Sequence, residues 1–208
     1  MTRETVRVEA FSDGVFAIAI TLLILEIRVP HLPTEAGNAE LGAALRTLWP
    51  SFLAFAGTFG SILTMWINHH GFFDLLERVD RRFLFANGFL LLLITFVPFP
   101  TALLAAYLDR PGANAASAFY CATYVGINVA YNLLWLTAAR DHRLIRPGVS
   151  DKVLERIRRA YLLGFPIYVL AVVAAFWNAM LGFGICSALW IFWAGLDYRD
   201  RHAETAAA

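Results

Sequence analysis

The sequence predicts an all-α integral membrane protein of six transmembrane helices, with the N- and C-termini in the cytoplasm. Three observations carry that reading. The 208-residue chain is 59% hydrophobic and 16% charged, where soluble domains carry about 25% charged residues. Its apolar residues gather into runs of about 20, the length that crosses a bilayer as a helix. Its basic residues gather on alternate connections between those runs, which sets orientation.

The spans are expected at about residues 6–29, 49–73, 83–108, 115–139, 161–177 and 179–196, all within one domain over 1–208. The first stops at Pro30, and no small-residue cleavage site follows it before that proline, so it is read as a retained helix. Pro50 suits the first turn of the second span. Pro98 and Pro100 fall inside the third. The fifth and sixth are tightly joined, with Asn178 and Gly182 the turn formers nearby.

Orientation follows from the flanking charges. One side carries Arg3, Arg7, Arg78, Arg81, Arg82, seven basic residues between Arg140 and Arg159, and Arg199 and Arg201. The other carries Arg28, Arg46 and Arg110. That bias puts the first side in the cytoplasm. Residues 140–158 read as a short basic amphipathic helix lying on the inner leaflet and contacting membrane lipid. The stretch at 30–48 is too short for a soluble domain.

Several function classes fall away on composition. A net charge of +1 gives no basis for nucleic-acid binding. Cys121 and Cys186 sit in apolar stretches without CxxC spacing and read as small buried hydrophobes. Sixteen of the 17 basic residues are Arg, a bias found in GC-rich bacterial genomes.

One feature resists the simple membrane reading. The stretch EAFSDGVFAIAITLLILEI, residues 9–27, places Asp13 at the entrance of an otherwise apolar helix. A charged Asp costs about 2.5–3.5 kcal/mol at a helix centre and less near its end. Such a residue faces the bundle interior and takes a partner. The second span finishes MWINHHGFFD on the same side, and Asn87 lies one turn into the third. Ser12, Asp13, one of His69 and His70, and Asn87 are therefore expected in one polar layer, with the Trp66 indole as a further donor. A metal site of His69, His70 and Asp74 is disfavoured, because adjacent histidines on a helix point about 100° apart. A catalytic group of Ser12, Asp13 and His70 is disfavoured on similar geometry, so no enzyme activity is expected.

Beyond the acid, Gly14, Ile18, Thr21, Leu22, Leu25 and Val29 fall on one broad face of the first helix. On periodicity alone, ordinary helix packing is the favoured reading of that face.

The motif adds what periodicity lacks. Arg7, three residues, then Phe11-Ser12-Asp13 resembles the signature of the transmembrane protein 175 family, potassium channels of endolysosomes and their bacterial relatives. The resemblance runs on through FLAFAGTFGSILTMWINHHGFF, with its Trp66 and His69, to Asn87 and FVPFP. It covers the first 100 residues, and the remainder matches in hydropathy. The resemblance implies a homotetramer whose first helices line a central pore in the cell inner (plasma) membrane, with K+ as the permeant ion and no cofactor. It implies Ile18, Leu22 and Leu25 as pore-lining or gate residues and Ile18 and Thr21 as the selectivity positions. It implies Arg7, Phe11, Ser12 and Asp13 as a structural motif tied to Trp66, His69 and Asn87.

No TVGYG-like carbonyl filter occurs in the chain. Selectivity would therefore rest on an apolar collar of Ile18 side chains, which an ion passes only by shedding part of its water. Potassium sheds water more readily than sodium. Thr21 hydroxyls would replace part of that water, or else bond back to their own helix. The competing class is a proton-coupled or cation secondary transporter using Asp13 and His69 as a relay.

Overall fold

The computed structural model describes residues 2–196 and Tyr198. Arg199 and Arg201, which enter the charge count above, lie outside the described residues. Among the described residues, eight α-helices run in the order α1 (Arg3–Leu22), α2 (Asn38–Thr47), α3 (Trp49–Phe73), α4 (Arg81–Phe96), α5 (Pro98–Tyr107), α6 (Ala113–Ala139), α7 (Asp151–Trp177) and α8 (Ala179–Ala194). Among the described residues there is no strand, only an isolated bridge between Leu76 and Ile145.

Local chemistry sets the helix ends. Thr2 caps α1, its hydroxyl accepting from Thr5 N at 3.3 Å. The last turn of that run, Leu23–Glu26, tightens to a 3-10 helix. Asp80 caps α4 by accepting from Phe83 N at 2.9 Å. Prolines 98 and 100 lack N–H donors, so the third apolar run divides into α4 and α5. Asn178 takes an extended conformation between α7 and α8 and caps α8 through Leu181 N at 3.0 Å. Gly182 keeps those two helices close, since a Cβ there would lie 2.5 Å from the Ala175 side chain.

The basic stretch before the fifth span differs from expectation. No separate surface helix forms at 140–158. A 3-10 turn at Arg140–His142 and a loop occupy 140–150, and α7 begins at Asp151 and continues unbroken into the apolar run. Nothing between Asp151 and Tyr161 breaks a helix. Val153, Leu154, Ile157 and Ala160 are buried in the core with Leu144 and Ile145. The apolar face that sequence assigns to lipid is thus covered by the protein itself. The stretch at 30–48 does contain a helix, α2, with no buried residue. Glu40 stabilises its first turn by accepting from Gly37 N at 2.9 Å.

Helix α6 is the hub, packing against α4, α5, α7 and α8. Among the described residues, four helical runs are long and apolar enough to cross a membrane: Arg3–Glu26, Trp49–Phe73, Arg81–Tyr107 and Asp151–Trp177. Helix α8 is apolar but only 16 residues long. Helix α6 has the length, yet it carries Tyr120, Tyr124, Asn128 and Tyr131. All four are buried, and within the bundle they find partners. Thr58 shares a 3.0 Å bond with Tyr120, Tyr120 donates to Tyr124 at 2.9 Å, and Tyr131 donates to the Met65 carbonyl at 2.7 Å. Polar groups satisfied this way do not bar a helix from membrane depth.

Helix α1 stands at the side of this bundle, against α3 and α4. Its most apolar window is 22% buried, against 39% for each of the other three candidate spans. More than any of them, it leaves a face uncovered.

Candidate functional site

The two faces of α1 are chemically distinct. Thr5, Ser12, Phe16, Ala19 and Leu23 are buried, at spacings of seven, four, three and four residues. The opposite face carries Phe11, Ile18, Leu22 and Leu25, exposed at 67%, 60%, 41% and 69%. Gly14 and Thr21 lie on it and are exposed as well. No charge occurs on that face between Gly14 and Leu25.

The inner face is held by a polar clasp to α3 and α4. Asp13 Oδ1 accepts from the Trp66 indole Nε1 at 2.8 Å. One turn earlier, Glu9 Oε1 lies 2.8 Å from His70 Nδ1. Four residues forward on α1 match four residues back on α3, the register of two antiparallel helices. The Trp66 and His70 rings stack at 6.2 Å, which braces both donors.

Between those two acids, Ser12 reaches the other neighbour. Its hydroxyl donates to the Val8 carbonyl at 2.9 Å and accepts from Asn87 Nδ2 at 3.0 Å. The Asn87 amide oxygen, an acceptor only, pairs with His69 Nε2 at 2.9 Å. His69 therefore carries its proton on Nε2 and donates it. Its other nitrogen, Nδ1, is buried without a hydrogen-bond partner. The ring is wedged between Phe16 at 5.2 Å and Phe73 at 4.6 Å. Ser12, Asn87 and His69 thus form a chain linking α1, α4 and α3 with all three side chains buried.

The residues of the motif divide. Ser12 and Asp13 join the clasp, whereas Arg7 and Phe11 are exposed and line a groove beside Leu84 and Gly88. The adjacent histidines also divide, His69 toward α4 and His70 toward Glu9, so they share no ligand face. Asp13 and His69 take different partners, so the relay pair is not directly bonded. Ser12, Asp13 and His70 likewise engage three separate partners. Sequence reasoning leaves out the Glu9–His70 pair. The signal for it is the i, i+4 spacing of Glu9 and Asp13 facing the same spacing of Trp66 and His70.

On the open face, Thr21 Oγ1 donates to the Ile18 carbonyl at 2.9 Å. The proton is thereby turned into the helix, and the hydroxyl lone pairs remain free to accept. The face offers hydroxyl oxygens and apolar side chains, with no acid, no base and no nucleophile. It forms a wall.

Comparison with known proteins gives a consistent result. The sequence profile of the family described as "Endosomal/lysosomal potassium channel TMEM175" matches residues 7–98. A potassium channel of Chamaesiphon minutus is 47% identical over 192 residues, covering 92% of this chain and 94% of its own. A potassium channel of Streptomyces collinus is 43% identical over 179 residues, covering 86% and 85%. The crystal structure of a lysosomal potassium-selective channel TMEM175 homologue from Chamaesiphon minutus superposes with a TM-score of 0.83 at 45% identity, covering 93% of this chain and 97% of that one. Similarity therefore extends through the second half of the chain, where sequence reading alone finds agreement only in hydropathy.

Proposed function

This chain belongs to the family of the endosomal/lysosomal potassium channel TMEM175, and on that premise we propose that it is a potassium-permeable cation channel of a bacterial inner membrane. Four copies assemble around an axis lined by α1. Each copy crosses the bilayer six times, through α1, α3, the α4–α5 pair, α6, α7 and α8, and both termini lie in the cytoplasm. Potassium is the permeant ion, and no cofactor or nucleic acid takes part.

The observation that carries this reading is the asymmetry of α1. One face is fixed to α3 and α4 by the clasp, and the other presents Ile18, Leu22 and Leu25 at 60%, 41% and 69% exposure. A helix that only faced lipid would need no fixed rotation, since lipid tails accept any apolar side chain. The clasp sets that rotation. Asp13 accepts from Trp66 through Oδ1, and its role is to hold the helix that meets the ion.

Ile18 from four copies forms a dry collar that acts as gate and selectivity barrier together. Sodium grips its water more tightly than potassium does, so the collar penalises sodium more. Thr21, one turn beyond, presents lone pairs that replace part of the lost water. Leu22 and Leu25 extend the apolar wall outward. Selectivity by this route is modest, because nothing in the wall binds the dehydrated ion strongly.

Purified protein in planar bilayers, recorded under opposed potassium and sodium gradients, tests this. Unitary currents with a reversal potential displaced toward that of potassium are expected. Ion flux that saturates with concentration and never resolves into unitary steps would favour a transporter instead.

A further inference from the structure

Two apolar stripes flank α1, and neither is covered within the chain. On α3, Phe52, Phe59, Leu63 and Ile67 are exposed at spacings of seven, four and four residues. On α4, Phe85, Phe89, Leu92 and Phe96 are exposed at spacings of four, three and four. Such spacings keep each set on one helix face. Helix α1 packs against both helices, while α3 and α4 make no extensive contact with one another. Helix α1 thus stands between them, and the stripes border its open face, one on each side.

The stripes are level with one another. The His69–Asn87 bond of 2.9 Å ties α3 to α4 at one depth. The two helices run in opposite directions, so depth is counted from that bond at about 1.5 Å per residue. Leu63 lies six residues from His69 and Leu92 five residues from Asn87, both toward the same side of the membrane. Phe59 and Phe96 lie ten and nine residues along in that direction. Asp74 and Arg81 lie five and six residues away in the other. Each pair therefore matches in depth to about one residue. Rotation about an axis along the membrane normal keeps every residue at its depth. In a four-fold ring with α1 at the axis, the α3 stripe of one copy meets the α4 stripe of the next, level for level. Each copy uses both edges, in a head-to-tail contact that closes into a ring.

Charge follows the same pattern. Asp74, at the end of the α3 edge, and Arg81, at the start of the α4 edge, are both exposed. Among the described residues neither enters a salt bridge or a side-chain hydrogen bond. The Arg81 guanidinium lies over the Phe85 ring at 5.7 Å, which holds it on the stripe. Asp74 acts as a like charge on Glu9, and Glu9 already takes His70 as its partner. One edge thus ends in an acid without a base of its own chain, and the other begins with a base without an acid. Lipid tails would cover the apolar stripes but would leave both charges unmatched. A lipid-filled gap beside α1 would also open the wall of a water-filled pore to hydrocarbon.

We propose that the exposed edges of α3 and α4 are the two halves of the contact between copies of this chain, with Phe59 and Leu63 packed against the partner's Phe96 and Leu92, and Asp74 paired with the partner's Arg81. The proposal rests on the channel reading for its four-fold axis. The apolar pairs seal the wall on either side of α1, and the ion pair fixes which edge meets which.

Disulfide cross-linking in membranes tests it. Cys121 and Cys186 are buried, so introduced cysteines react against little background. Chains carrying Leu63→Cys and chains carrying Leu92→Cys, coexpressed and oxidised with copper phenanthroline, should give a cross-linked dimer on a denaturing gel. Either chain alone should stay monomeric there, and one chain carrying both changes should give a ladder of up to four chains. Leu136→Cys and Leu163→Cys, on exposed faces of α6 and α7, should give no cross-link when coexpressed. Asp74→Arg or Arg81→Asp alone should lower the tetramer fraction in native mass spectrometry, because like charges then meet. The two reversals together should restore it. Cross-linking of Leu63→Cys alone, equal cross-linking in the control pair, or no recovery in the double reversal would each overturn the proposal. So would a tetramer in which Leu63→Cys and Leu92→Cys never join, which would leave the edges to lipid. Assembly is read without reference to ion flux. A cross-linked ring of four chains that passes no current overturns the channel reading alone.

Discussion

Ser12 and Asp13, neighbours on one helix, bind two different helices. Asn87 of α4 donates to Ser12 at 3.0 Å, and Trp66 of α3 donates to Asp13 at 2.8 Å. Two adjacent residues on a helix point about 100° apart, so this pair fixes both the position and the rotation of α1. That rotation decides which side chains form its open face.

The first prediction concerns the acceptor at position 13. Asp13→Asn keeps an oxygen for the Trp66 indole, whereas Asp13→Ala leaves that N–H without a partner. The alanine variant should lose about 1–2 kcal/mol, and the asparagine variant less. Thermal melting of the purified variants in detergent, with size-exclusion profiles to follow assembly, provides the check. Equal loss in the two variants would mean that the charge, rather than the hydrogen bond, matters.

A second prediction addresses the chain from Ser12 through Asn87 to His69. Asn87→Leu removes two hydrogen bonds at once and strands the His69 Nε2 proton in a buried site. It should cost more than Ser12→Ala, which removes the bond to Asn87 and a bond back to the Val8 carbonyl of its own helix but strands no histidine proton. A double-mutant cycle between Ser12→Ala and Asn87→Leu should give a coupling of about 0.6–1.7 kcal/mol, the range found for hydrogen bonds between membrane helices. Strictly additive losses would show that the two side chains do not act as one unit.

The orientation of the chain leads to a third. Cys121 and Cys186 are buried, so a single introduced cysteine reports with little background. A membrane-impermeant maleimide applied to intact cells should label Arg110→Cys and should leave Arg146→Cys unmodified. The reverse pattern would invert the topology.

Thr21 gives a fourth. Its hydroxyl donates to the Ile18 carbonyl and keeps its lone pairs. Thr21→Ser preserves that geometry and should retain potassium preference. Thr21→Val removes the oxygen and leaves the wall dry, so selectivity should fall without a rise in current. Bi-ionic reversal potentials distinguish the two. Equal selectivity in both variants would remove Thr21 from the permeation path.

Sequence and structure agree most where a polar group stands in an apolar helix. Asp13 demands a partner, and the polar residues at the same depth are few, so Ser12, His69, Asn87 and Trp66 are readable as its surroundings. The pairing among them is not readable, because it depends on side-chain rotation. Trp66 takes the carboxylate, and His69 pairs with Asn87 instead. Glu9 is easily passed over, since it precedes the apolar run and looks like a solvated flank. The start of α7 is hidden for another reason. Basic residues interrupt hydropathy but not a helix, and the core that covers Val153 and Ile157 comes from residues distant in sequence. Helix α6 shows the same limit in reverse. Its tyrosines and asparagines lower its apolar character, while the bundle around it satisfies them.

A pore lined by α1 requires Ile18 at its constriction. It lies five residues beyond the motif Asp13, on the open face with Leu22 and Leu25. If four copies form a dry collar, wetting that collar should raise the current and erode discrimination together. Ile18→Met, apolar and of similar volume, should change little. The decisive measurement is the reversal potential and current of Ile18→Asn under a potassium–sodium gradient. A larger current with a reversal potential moved toward zero is the predicted result. Wild-type current at the wild-type reversal potential would contradict the account and place the ion path away from α1.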